Sequence, residues 1–124
     1  MKNYVYFTDE EVKGLDKEFV ALLDQARHKA SIPFLITDSL RTAQTNTDPN
    51  SVKDSSHLTG HAVDLSCHSY RELFLIIKGL AYVGLDRIGI YFNIDDMGKV
   101  LPTHIHVDND KTKPPQVLWL TREK

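Results

Sequence analysis

His104-Ile105-His106-Val107-Asp108 alternates polar and apolar side chains over five positions. Successive side chains of a strand point to opposite sides, so His104, His106 and Asp108 share one face while Ile105 and Val107 share the other. The apolar pair suits a core, and the polar trio presents two imidazoles and a carboxylate to one cavity. A second stretch, Ser55-Ser56-His57-Leu58-Thr59-Gly60-His61-Ala62-Val63-Asp64, carries a further imidazole and carboxylate. Gly60 permits a left-handed turn between His57 and Asp64, through which both side chains can converge. Imidazole nitrogen and carboxylate oxygen are zinc donors, and two histidines with one carboxylate leave a fourth position for water. The two stretches together have the composition of a catalytic zinc centre with acid/base groups beside it. Spacing alone leaves the ligand set open. Asp108 can be read as a ligand, as a partner orienting a histidine or as a plain strand-end carboxylate, and the orienting role fits best. Histidines on strands also pack or bond locally without any metal, and His28 and His68 are assigned to structure or surface.

Outward from these stretches the pattern is mixed. Thr8-Asp9-Glu10-Glu11 has a capping-box arrangement, and Val12, Leu15, Phe19, Leu22, Leu23 and Ala26 follow at helical spacing. This predicts a helix over residues 9 to 29, weakened but not ended by Gly14. Residues 34 to 37 form a short apolar run suited to a buried strand. Residues 38 to 56 are a long polar loop, the kind that lines sites. A strand is expected over 61 to 66, a helix over 70 to 83 closed by Gly84, and a strand over 88 to 92. A turn over 93 to 98 then leads into the strand that holds His104. Pro114-Pro115 break the chain before a candidate edge strand over 117 to 120. Without a regular β-α-β repeat, the expectation is a small α+β domain spanning residues 1 to 124, with helices packed on one side of an antiparallel sheet.

Composition narrows the function. A chain of 124 residues fits one domain, and 41% hydrophobic with 26% charged residues is ordinary for a globular protein. A formal net charge of −2 with scattered basic residues argues against nucleic acid as a partner. The lone Cys67 excludes an internal disulfide and a cysteine-based zinc knuckle. No stretch reaches the ~18 apolar residues of a membrane span, and the N-terminus lacks a secretory pattern. The expectation is therefore no membrane insertion and synthesis in the cytoplasm, with anything beyond a membrane reached only through delivery by another component; a monomer is expected.

Ser55-x-His57-x-x-Gly60-x-Ala62-x-Asp64 followed by His106-Val107-Asp108 resembles the zinc D-alanyl-D-alanine carboxypeptidase family of peptidoglycan peptidases. Its relatives include vancomycin-resistance dipeptidases, phage L-alanyl-D-glutamate endopeptidases and the hedgehog signalling domain. The first motif matches at every fixed position. The resemblance reaches back to Thr37-Asp38-Ser39-Leu40-Arg41 and forward through Arg87-Ile88-Gly89-Ile90-Tyr91, covering roughly residues 15 to 108.

The resemblance implies zinc held by His57, Asp64 and His106, with Arg41 binding the substrate's carboxylate or polarising the scissile carbonyl. Ser55 would shape the ligand loop rather than act as a nucleophile. Many members carry an acidic base three residues before the last histidine, where this chain has Thr103. His104 gives instead the His-x-His of related wall endopeptidases, and would serve as general acid/base. Asp95 and Asp96 are fallback bases, and His61 is an extra imidazole of no assigned role. The implied activity is zinc-dependent hydrolysis of an amide in the peptidoglycan stem peptide, as carboxypeptidase or endopeptidase, in the manner of a phage or prophage lysis enzyme. The alternative is a non-catalytic, metal-stabilised binding or virion-assembly module of the same fold.

Overall fold

The computed structural model describes residues 4–38 and 60–123. Arg41, Ser55 and His57 lie outside these residues. The elements run α1 (Lys17–Ala30), β1 (Ile36–Asp38), β2 (Ala62–Ser66), α2 (Tyr70–Tyr82), β3 (Arg87–Ile94), β4 (Val100–Asp108) and β5 (Val117–Arg122). The expected α+β class is what the chain adopts.

The first helix starts eight residues later than its periodicity suggests. Thr8 and Glu11 do exchange capping-box bonds, with the Thr8 N–H donating to Glu11 Oε1 at 3.0 Å and the Glu11 N–H to Thr8 Oγ1 at 3.2 Å. The turn that they close stops at Gly14, whose φ of 84° is left-handed and cannot continue a helix. Asp16 is the true N-cap, extended in backbone and accepting from the Phe19 N–H at 3.0 Å. Val12 and Leu15 are still buried, so the apolar stripe was real although its first part is not helical. In α2, Ser69 caps by accepting from the Glu72 N–H, while Glu72 reaches back to the His68 N–H at 2.8 Å.

The strands form one sheet in the order β1-β2-β4-β3-β5. Three pairings are antiparallel, as expected, but β5 lies parallel to β3. The direction follows from the strand order. Leaving β4, the chain turns back antiparallel to it, yet both edges of β4 are already taken by β2 and β3. It takes the free edge of β3, beside the hairpin it has just left, and a strand there that is antiparallel to β4 runs parallel to β3.

Alternation divides the sheet into two faces. Val63, Leu65, Ile88, Ile105 and Val107 join Phe19, Val20, Leu23, Ile76 and Leu80 of the helices in one buried cluster. Each such side chain contributes about 1.5–3 kcal/mol by leaving water. The opposite face carries Asp64 across from His106, His106 across from Gly89, and Gly89 across from Trp119. A Cβ on Gly89 would stand 2.5 Å from the Trp119 indole, so glycine is what lets that ring cross the strand.

Candidate metal centre

Strand register assembles the site. Asp64 on β2 and His106 on β4 are direct partners, so both side chains rise from the same face. Asp64 Oδ1 lies 3.2 Å from His106 Nδ1, and Asp64 Oδ2 lies 3.9 Å from His104 Nε2. The carboxylate of Asp64 thus sits between two imidazoles. His106 Nε2 is held at 2.7 Å by Asp108 Oδ2. Asp108, 1% exposed, also accepts from Arg87 Nε at 2.7 Å and from the Asp110 N–H at 3.1 Å. Arg87 in turn donates to the Pro114 carbonyl and lies over the Trp119 ring.

These contacts set the charge states. Burial alone would lower His106, but the hydrogen bonds to Asp108 and Asp64 and their charges outweigh it and push the imidazole up to about 9. With a carboxylate against each ring nitrogen, both nitrogens carry protons in the metal-free protein. Burial likewise would raise Asp108, yet the bond from His106, the Asp110 N–H, the His106 charge and Arg87 hold its carboxyl below the ordinary value.

The donor chemistry suits zinc. A carboxylate oxygen and an imidazole nitrogen converge, and Asp108 fixes the far nitrogen of that imidazole, as partners of metal-bound histidines do. Among the described residues no group of three or more His, Cys, Asp or Glu could hold a metal ion. Two donors of the expected three are described, and His57 is not among those residues.

Other residues singled out by sequence fall elsewhere. His61 Nε2 approaches Asp16 at 3.8 Å, at the start of α1, rather than the cluster on β4. Gly60 has the expected left-handed φ of 78°, and a Cβ there would meet the Gly14 carbonyl at 2.6 Å. Asp95 Oδ1 accepts from the N–H groups of Met97 and Lys99 and holds the β3–β4 turn. That turn lies on the order of 13 Å along β4 from His104, which removes Asp95 as a base in this arrangement. Asp96 shares the same exposed turn. His28 bonds the Tyr6 hydroxyl at 2.6 Å and His68 the Ser66 hydroxyl at 2.8 Å. Cys67 is buried, and burial pushes its thiol up to about 11.

Three neighbours of the site were not foreseen in their roles. Arg87 neutralises Asp108, Trp119 places its ring 5.6 Å from that of His106, and Glu123 Oε1 lies 2.9 Å from His104 Nδ1. Thr103, which stands where an acid was expected, donates its hydroxyl to that same Glu123 oxygen. Trp119, Thr121 and Glu123 share one parity, a signal present in the sequence. What the sequence did not reveal is that β5 lies beside β3.

No helix among the described residues is long and apolar enough to cross a membrane. No match was found among curated proteins, nor among solved structures. A family model described as Peptidase M15 matches residues 5–108, a span that contains Asp64, His104, His106 and Asp108 together with the buried core beneath them. On that match over most of its length, the chain belongs to the Peptidase M15 family.

Proposed function

We propose that this chain is a zinc-dependent peptidase that hydrolyses an amide bond in the peptide stem of peptidoglycan, as a D-Ala-D-Ala carboxypeptidase or an L-Ala-D-Glu endopeptidase. The observation that carries the reading is the Asp64 carboxylate set between His106 Nδ1 and His104 Nε2 on the sheet face opposite the helices. Membership in a peptidase family whose members are generally zinc-dependent supports it.

His57, Asp64 and His106 would hold the ion. Only three peptide units separate His57 from Gly60, at most about 11 Å of chain, and Gly60 stands four residues before Asp64. Zinc bound there supplies Lewis acidity, lowering the pKa of water and polarising the scissile carbonyl. His104, whose Nε2 faces Asp64, takes the proton of the attacking water and returns it to the leaving amine. Asp108 keeps the His106 ring in place through Nε2, so that Nδ1 is the nitrogen turned to Asp64. Arg41 binds the carboxylate of the substrate or the developing oxyanion, and Ser55 supports the loop that carries His57.

Purified protein loaded with zinc and incubated with peptidoglycan should release new amino groups, and a chelator should stop the release. Mass analysis of the products then names the bond. Thr103 in place of an acidic side chain favours a second reading, a metal-stabilised binding module of the same fold. Binding of peptidoglycan fragments without any new amino group would select it.

A further inference from the structure

We infer that Glu123 is a positioning residue for His104, fixing the ring and its tautomer so that Nε2 faces Asp64. The inference rests on the reading of His104 as the acid/base group. Glu123 lies beyond the span 5–108 matched by the family, and its position follows from the parallel pairing of β5 with β3.

Four contacts define the arrangement. Glu123 is anchored at the end of β5, its N–H donating to the Phe92 carbonyl at 2.8 Å. Its Oε1 takes the Thr103 hydroxyl and stands 2.9 Å from His104 Nδ1, nearer than Thr103 Oγ1 at 3.5 Å. Tyr91, the cross-strand partner of His104, stacks on the imidazole at 4.3 Å between centroids and 15° between planes. The ring is thereby held on one face and at one nitrogen. A carboxylate only accepts, so Nδ1 must carry the proton. Asp64 Oδ2, 3.9 Å from Nε2, is too far to accept a hydrogen bond from it, so in the neutral ring Nε2 keeps its lone pair on the edge turned to Asp64. A general base needs that lone pair, and a free imidazole does not select it.

Two variants separate positioning from simple tethering of the strand end. Glu123→Met keeps the bulk of the side chain and removes the acceptor, whereas Glu123→Gln keeps an acceptor oxygen. Nitrogen-15 NMR of metal-free, histidine-labelled protein at one alkaline pH reports the tautomer of His104 without any reference to activity. The parent should show Nδ1–H, Glu123→Met a mixture of tautomers, and Glu123→Gln a pattern near that of the parent. With zinc and peptidoglycan fragments from a lysozyme digest, Glu123→Met should lower kcat by about tenfold to a hundredfold at unchanged KM, in the range seen for outer-shell partners of functional histidines. Glu123→Gln should recover most of that loss. An Nδ1–H signature that persists in Glu123→Met overturns the inference. A changed tautomer with unaltered kcat upholds the positioning by Glu123 and instead overturns the role given to His104.

Discussion

The two faces of β4 obey different rules. Ile105 and Val107 are fully buried against the helices, where shape and volume decide the outcome and many apolar side chains would serve. One residue away on each side, His104, His106 and Asp108 sit among carboxylates, an arginine and two aromatic rings, with their ring and carboxyl atoms paired at 2.7–3.9 Å. The polar face sets His106 between the carboxylates of Asp64 and Asp108, with Arg87 paired to Asp108. The difference teaches that the core face stabilises through burial, whereas the polar face stabilises through paired charges whose state depends on pH. Alternate residues of one strand should therefore fail in different ways.

The largest effect is expected on the polar face. Replacing His104 by alanine should lower the hydrolysis rate about 10²–10⁴-fold, the usual worth of a positioned acid/base group, while leaving zinc content and unfolding midpoint close to the parent. Zinc content together with kcat checks this. The neighbouring Ile105→Ala should do the reverse, costing about 2–5 kcal/mol of stability in denaturant titration while the protein that remains folded keeps its activity. Equal behaviour of the two variants would erase the distinction between the faces.

Asp108 sharpens the comparison because it belongs to both faces, buried like the core yet bonded to His106. Asp108→Asn should weaken zinc about tenfold to a hundredfold through a less firmly oriented His106. It should also destabilise the fold by leaving the Arg87 guanidinium without its charge partner. Competition with a chelator of known affinity and a parallel denaturant titration give the two numbers.

Smallest per step is the effect of pH. His106 must lose a proton to ligate, and that proton is held up to about pH 9. Apparent zinc affinity should rise about tenfold for each pH unit between 7 and 9 and then level. The stability of the chelated protein moves the other way. A histidine whose folded pKa lies above its ordinary 6.5 contributes fully below that value, and its contribution fades as pH rises through about 9. Asp108, lowered from 3.8, contributes above that value and fades as pH falls through its folded pKa. The metal-free protein should accordingly be most stable between about pH 4 and 6.5, a window that denaturant titration across pH would locate.

Much of this arrangement was legible where the cause is local. The alternation at His104-Ile105-His106-Val107-Asp108 and the apolar positions Val63 and Leu65 have a period that no helix shares, and both strands lie where that period puts them. The left-handed turn at Gly60 was readable for the same reason. Thr8 and Glu11 misled because a capping box satisfies donors in an isolated turn as well as in a helix, and the break at Gly14 outweighed the stripe that follows. Pairings distant in sequence were hidden. Nothing near Glu123 announces that Phe92 and His104 will be its neighbours, and nothing near Arg87 announces Asp108. The first depends on which sheet edge β5 takes, and the second on the register of the β3–β4 hairpin, in which Arg87 and Asp108 are direct partners.

The central claim is that Asp64 and His106, with His57, hold one divalent ion between two segments distant in sequence. Zinc content of the dialysed protein, measured by elemental analysis alongside Asp64→Ala and His106→Ala, tests it most directly. One zinc per chain in the parent and none in either variant is the predicted result. A parent that binds no zinc, or variants that keep a full equivalent, would contradict it.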